Sequence, residues 1–150
     1  MVRWVAFMMV FSLASISYAI NEEPLELITA QEAATPDMPS SLWHLEAGRD
    51  ESGPVIEVIT PQSGKPYKSP LQIIVRFIPK DGNEVDLSTL KVEYLKLFTI
   101  DLTPRVKPYA TQDGIKISET KLPSGIHTIR VTIGDVRGAV TRQVFTVEVL

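Results

Sequence analysis

His127 is the residue from which catalysis would most readily be built, with Ser124 just before it and Asp135 just after it in the chain. A serine activated by a histidine, itself oriented by a carboxylate, would perform nucleophilic acyl transfer. Three residues of a single hairpin rarely converge in that way, and no oxyanion-hole motif accompanies them. No catalytic residues are therefore assigned, and the chain reads as a non-enzyme.

Metal chemistry is similarly thin. The two histidines, His44 and His127, lie far apart, and the chain has no cysteine, so the ligand set of a zinc site is missing. Asp81, Glu84 and Asp86 share one short stretch and offer hard oxygen ligands, but their spacing is not that of an EF-hand loop. A solvated turn is the expected reading. Phosphate loops and dinucleotide fingerprints are absent from the sequence, and no metal or cofactor is expected.

Residues suited to binding are easier to find. Lys91, Arg130 and Arg142 fall on the polar phase of strand-like segments, where they would share an exposed sheet face with Thr128, Thr132, Leu95 and Val144. Such a face suits a protein partner or, alternatively, a glycan or other anionic ligand. Trp43, flanked by Leu42 and Leu45 in an otherwise polar stretch, is costly to leave in water. It is expected either to dock on the rest of the chain or to meet a partner.

Charge divides the chain. Residues 20–53 carry eight acids against one base, net −7, while residues 54–150 carry 13 bases against 10 acids, net +3. An acidic arm tethered to a mildly basic domain suggests docking between the two. Nucleic acid is not an expected partner of a near-neutral domain that carries an export signal and no clustered aromatics.

That signal occupies residues 1–19. Arg3 supplies a positive start, Trp4 to Leu13 an apolar stretch, and Ser17-Tyr-Ala19 a small-x-small cleavage site. No later apolar run approaches the ~20 residues of a membrane-spanning helix. The expected compartment is outside the cytoplasm, first of all the periplasm, with release from the cell as the alternative.

The arm, 20–53, is mostly irregular, with a short helix expected within 24–34, where Pro24 can start the first turn. Beyond it the apolar residues alternate with period two, the pattern of strands with one dry face. Segments at Val55–Ile59, Leu71–Phe77, Thr89–Lys96, Phe98–Leu102 and around Ile115 and Ile117 read as strands. Val106–Tyr109 is ambiguous. A closing hairpin from Gly125 to Leu150 sets His127, Ile129, Val131, Ile133, Phe145, Val147 and Val149 inward. The fold class is all-β: an immunoglobulin-like antiparallel sandwich of about seven strands over residues 54–150.

The run Leu122-Pro-Ser-Gly-Ile-His-Thr-Ile-Arg-Val-Thr-Ile-Gly-Asp-Val-Arg-Gly138, followed by Phe145-Thr-Val-Glu-Val149, resembles the closing hairpin of bacterial immunoglobulin-like domains. The wider layout is similar to a family of small exported bacterial proteins of unassigned function. It rests on Leu27–Ala33, Gly53–Val58, Ser69–Leu71, Val92–Lys96 and Ile100–Tyr109. The resemblance implies a fold and a compartment and supplies no activity. Gly125-x-His127-x-Ile129 parallels the Gly-x-Tyr-x-Cys of a tyrosine corner, so His127 is expected to bond back to the preceding loop. No inter-sheet cysteine pair is present, and Ile129 stands where the second cysteine would be. The function expected is an exported, non-catalytic accessory or adaptor subunit contacting another envelope protein. A glycan-binding module and a pilin-like subunit are the alternatives. Pilins borrow their last strand, whereas Val140–Leu150 supplies one here.

Overall fold

Period-two alternation can be satisfied only if strands pair into sheets that share a dry interior, and that is how the chain is arranged. A computed structural model describes residues 23–42 and 51–150; the expected signal peptide and Trp43 lie outside the described residues. In chain order the elements are β1 (Leu25–Glu26), α1 (Ala30–Ala33), β2 (Val55–Thr60), β3 (Pro66–Tyr67), β4 (Leu71–Ile78) and β5 (Val85–Tyr94). There follow β6 (Ile100–Asp101), α2 (Thr103–Val106), a 3-10 turn (Lys107–Tyr109), β7 (Ala110–Thr111), β8 (Gly114–Lys121), β9 (Gly125–Asp135) and β10 (Val140–Val149).

One sheet runs β1-β8-β4-β2 with β7 against β8; the other runs β3-β10-β9-β5-β6. The all-β sandwich expected from the alternation is the observed fold. Among the described residues it has ten strands, the surplus over the expected seven being the two-residue pieces β1, β3 and β7. The three long strands β2, β4, β8 in one sheet face β5, β9, β10 in the other, a two-layer sandwich. Between β2 and β3 the chain changes sheets: β2 pairs antiparallel with β4, and β3 pairs parallel with β10.

The departures from the expected boundaries have local causes. In β8, Leu71 faces Thr120 while Ile73 faces Ile117, so β8 holds one extra residue and its alternation shifts after Ile117. Thr120 thereby turns inward with its Oγ1 unpartnered, which hides an eight-residue strand behind two isoleucines. Where β8 begins, Gly114 has φ 144°, and a Cβ there would lie 1.9 Å from the Val75 carbonyl oxygen. No other residue fits so close a crossing. In β5, Asp86 faces Gly134 and Lys91 faces Thr132, so the strand bows out between them. Thr89 Oγ1 fills the gap by accepting from Gly134 N at 2.7 Å. The ambiguous stretch at Val106–Tyr109 closes α2 and forms the 3-10 turn, since Pro104 and Pro108 suit helical first turns.

The short helix expected within 24–34 is present as the single turn α1, with β1 formed before it, and this segment is integrated into the sandwich. β1 pairs parallel with β8, and Leu27 and Ile28 are buried in the core at 2% and 1% exposure. Thr29 and Glu32 form a reciprocal capping box at the start of α1. The same Glu32 carboxylate is gripped by both guanidinium ends of Arg105, at 2.7 and 2.8 Å, while Arg105 Nη1 also donates to the Leu27 carbonyl at 2.8 Å. The Arg105 hydrogen bonds, aided by Thr29, hold the Glu32 carboxyl down to about 2.

The folded value lies below the unfolded one, so this stabilisation is present above pH 4.5 and is lost as the pH falls from there toward 2. The pair is partly open to solvent, which limits its worth to ~1–2 kcal/mol. Urea titrations at pH 7 and pH 3 should show a difference that shrinks by that amount in Arg105→Gln. An equal difference in both proteins would show that the pair is not what titrates.

Candidate binding surface

His127 opens β9 and is 1% exposed. Its Nε2 lies 2.7 Å from the Pro123 carbonyl oxygen and its Nδ1 lies 2.9 Å from the Tyr94 hydroxyl. A carbonyl can only accept, so Nε2 carries the proton and Nδ1 accepts from the tyrosine. The imidazole thus bonds back to the loop before its own strand. Burial lowers its pKa, opposed by the bond to Pro123. His127 cannot serve as the base for Ser124, because both ring nitrogens are committed. Asp135 sits at the far end of β9, roughly 26 Å along the strand at ~3.3 Å per residue. There its Oδ1 accepts from Arg137 N and Ala139 N in the hairpin turn.

A neutral buried imidazole contributes stability above its unfolded pKa of ~6.5 that is lost as the pH falls through its lower folded value. His127→Ala should cost ~1–3 kcal/mol, since it removes the partner of the half-buried Pro123 carbonyl and the acceptor of the buried Tyr94 hydroxyl proton. It should also flatten the loss of stability between pH 7 and 5.5 measured by urea unfolding. A slope unchanged in the variant would assign that titration elsewhere.

Tyr94 continues the chain of contacts toward the N-terminal segment. Lys96 Nζ stands 5.0 Å from the Tyr94 ring centroid and donates to the Ala33 carbonyl at 3.0 Å and to Asp37 Oδ1 at 2.5 Å. Burial raises the Tyr94 pKa; on Lys96 burial acts downward and is outweighed by the bonds to Asp37 and Tyr94. A backbone bond from Leu97 N to the Pro36 carbonyl, 2.8 Å, ties the same segment down once more. Nothing in the sequence singled out Asp37 or Lys96, because their partnership spans two elements far apart in the chain.

The outer face of the second sheet is ordered in rows by its register. Arg142, Thr132 and Lys91 form one row, Val144, Arg130 and Glu93 the next, and Thr146 with Thr128 a third that continues toward Leu95. The expected wet face is wet only at one end. Lys91 and Arg142 are exposed, but Glu93, Leu95, Thr128 and Arg130 are buried. Glu93 is the reason for two of these: its Oε2 accepts from Arg130 Nε at 2.8 Å and Nη2 at 2.8 Å, and its Oε1 from Lys91 Nζ at 2.8 Å. Arg130 is therefore corrected from an exposed binding cation to half of a buried ion pair. Burial works to raise the Glu93 carboxyl, but the bonds from Arg130 and Lys91 carry it below the usual range. One carboxylate thus occupies two of the three cations on which an anionic ligand would have relied.

In the acidic loop, Asp86 Oδ1 caps its own turn through Ser88 N and Oγ. Among the described residues no three metal-binding side chains gather.

Where β5 bends into β6 the surface changes character. Phe98 is 75% exposed and Leu97 50%, and the preceding register, with Leu95 N on the Thr128 carbonyl, sets Leu97 level with Ile126, itself 64% exposed. Three large apolar side chains thus meet water at one corner. Phe98 falls in the strand-like phase of the sequence and so gave no signal of its exposure.

No family model matches the chain, and no curated protein matches it. Among solved structures, an endo-β-1,4-mannanase from Thermotoga petrophila is similar at 15% identity with a TM-score of 0.45, over 73% of this chain and 22% of that one. The chain therefore spans about a fifth of that enzyme's length.

Proposed function

We propose that this chain is exported to the periplasm and acts there as a non-catalytic binding module, an accessory or adaptor subunit that holds another cell-envelope protein. The observation that carries this reading is the corner of Leu97, Phe98 and Ile126. An aromatic and two aliphatic side chains are exposed together on backbone pinned by the Leu97–Pro36 bond and the Lys96–Asp37 pair. Exposed apolar clusters on rigid backbone are where binding energy concentrates. Glu148, exposed and opposite Ile126 in the ladder, is the charge beside this corner and would set orientation more than affinity.

The test is capture from envelope extract on immobilised protein, identification of what is held, and titration of the purified partner by calorimetry. Phe98→Ser should weaken that interaction at least tenfold while leaving the urea midpoint within error. Equal binding by Phe98→Ser would remove the corner from the interface. N-terminal sequencing of the protein from the cell envelope should begin at Ile20; a start at Met1 would overturn export by this signal.

A further inference from the structure

The outer face of the first sheet carries its side chains in an order that can complement itself. Register sets Val55 beside Ile78, Glu57 beside Arg76, and Ile59 at the bulge opposite Ile74. Val55, Ile59 and Ile78 are 48%, 37% and 40% exposed, and Ile74 is half-buried. Between these apolar rows the Glu57 carboxylate stands 3.6 Å from the Arg76 guanidinium, and both side chains are open to water. Two aliphatic rows thus flank one acid and one base, the acid on β2 and the base on β4.

We infer that this face meets a second copy of the chain, packed face to face about a two-fold axis that runs along the strands between β2 and β4. A two-fold contact uses the same patch twice, so the patch must fit itself. An axis along the strands lays β2 of each copy on β4 of the other. Glu57 then faces Arg76 of the second copy, Val55 faces Ile78, and Ile59 faces Ile74. An axis across the strands would instead set Glu57 on Glu57 and Arg76 on Arg76, which like-charge repulsion opposes. Packed sheets cross at ~30° because each is twisted. The charged row sits at the centre, where that rotation displaces side chains least. The apolar rows supply the adhesion, and the charges choose the axis. Lys116, the next charge on this face, pairs with Ile74 from β8 and so lies one strand beyond the overlap. The corner of Leu97, Phe98 and Ile126 belongs to the other sheet. Pairing leaves it free, gives the assembly two such corners, and stands whether or not that corner binds.

Two strands laid on two bury less than ~1,200 Å² in all, the size of weak contacts. Sedimentation of the purified protein should therefore be followed from about 0.01 to 0.5 mM. The unaltered protein should pass from monomer to dimer across that range. Arg76→Glu and Glu57→Arg should each weaken pairing at least tenfold, because either one opposes like charges. Their side chains are 62% and 47% exposed, so neither variant should shift the urea midpoint. Mixed in equal amounts, the two variants should pair again within threefold of the unaltered protein, since the acids of one then meet the bases of the other. Native mass spectrometry should find one copy of each variant in that dimer.

An unaltered protein that stays monomeric throughout would overturn the inference. Dimers indifferent to both substitutions would place the contact elsewhere on the molecule and overturn it as well. Variants that each lose pairing but do not recover it on mixing would rule out the two-fold that sets Glu57 on Arg76.

Discussion

Alanine at both Leu27 and Ile28 should cost the sandwich about 5 kcal/mol or more, because each large-to-small change in a well-packed core costs ~2–5 kcal/mol. The two side chains are 2% and 1% exposed and belong to the same buried cluster as Val75, Ile117 and Ile129. A domain of this size commonly has ~5–15 kcal/mol in all. The melting temperature should therefore fall by roughly 15 °C, or the chain should be unfolded at 25 °C. Leu42→Ala, at a position 43% exposed, serves as the control and should stay within ~0.5 kcal/mol. Unfolding by urea, followed by circular dichroism, measures both. If the double variant unfolds at the midpoint of the unaltered protein, residues 25–37 are a tether laid on the surface and not part of the fold.

Glu93→Ala should be nearly as damaging, for an electrostatic reason. Arg130 is 7% exposed, and removing one partner of a buried ion pair leaves a desolvated charge, at a cost of ~3–5 kcal/mol. Lys91 reaches the same carboxylate from a side chain that is 57% exposed, so Lys91→Ala should cost under ~1 kcal/mol. Replacing both members, Glu93→Leu with Arg130→Met, should recover a large part of the loss, since an apolar pair has no charge to strand. The acid limb carries the same sign as that of Glu32: the Glu93 contribution is present above pH ~4.5 and disappears as the pH falls through its lower folded value. A Glu93→Ala protein as stable as its parent would mean that Arg130 finds equal compensation without it.

What the sequence conveys and what it hides follow from the range of each interaction. Alternation along β4, β9 and β10 is local, so Leu71, Ile73, Val75 and Phe77 could be placed inward before any neighbour was known, and all four are buried. The expectation that His127 would bond back to its own loop used a spacing of four residues. Arg130 was misjudged because alternation tells which face a side chain is on and is silent about what lies over that face. Glu93 lies 37 residues from Arg130, so no local pattern marks it as the acceptor that fixes two cations. The N-terminal segment was read as polar chain because its acids outweigh its few apolar residues. Leu27 and Ile28 reach the core through a strand of only two residues, too short to leave a period. Thr29-x-x-Glu32 has the spacing of a capping box, a signal of helical order that the expectation of a helix started by Pro24 did not use.

The two parallel pairings have a mechanical consequence. β1 runs parallel to β8, and β3 runs parallel to β10. Tension along the chain draws β3 toward its N-terminal side and β10 toward its C-terminal side, opposite directions along a shared axis. Bonds loaded in that way bear the force together instead of parting one after another, and resistance to pulling is set by the rate of that joint rupture. The β3–β10 ladder is short, and Pro66 has no N–H to give it. A protein held at one end by the envelope and at the other by its cargo would yield first at that clamp. Its failure would free β10 only at Glu148 and Val149, while Gly53 and Glu51 still hold the other end of that edge.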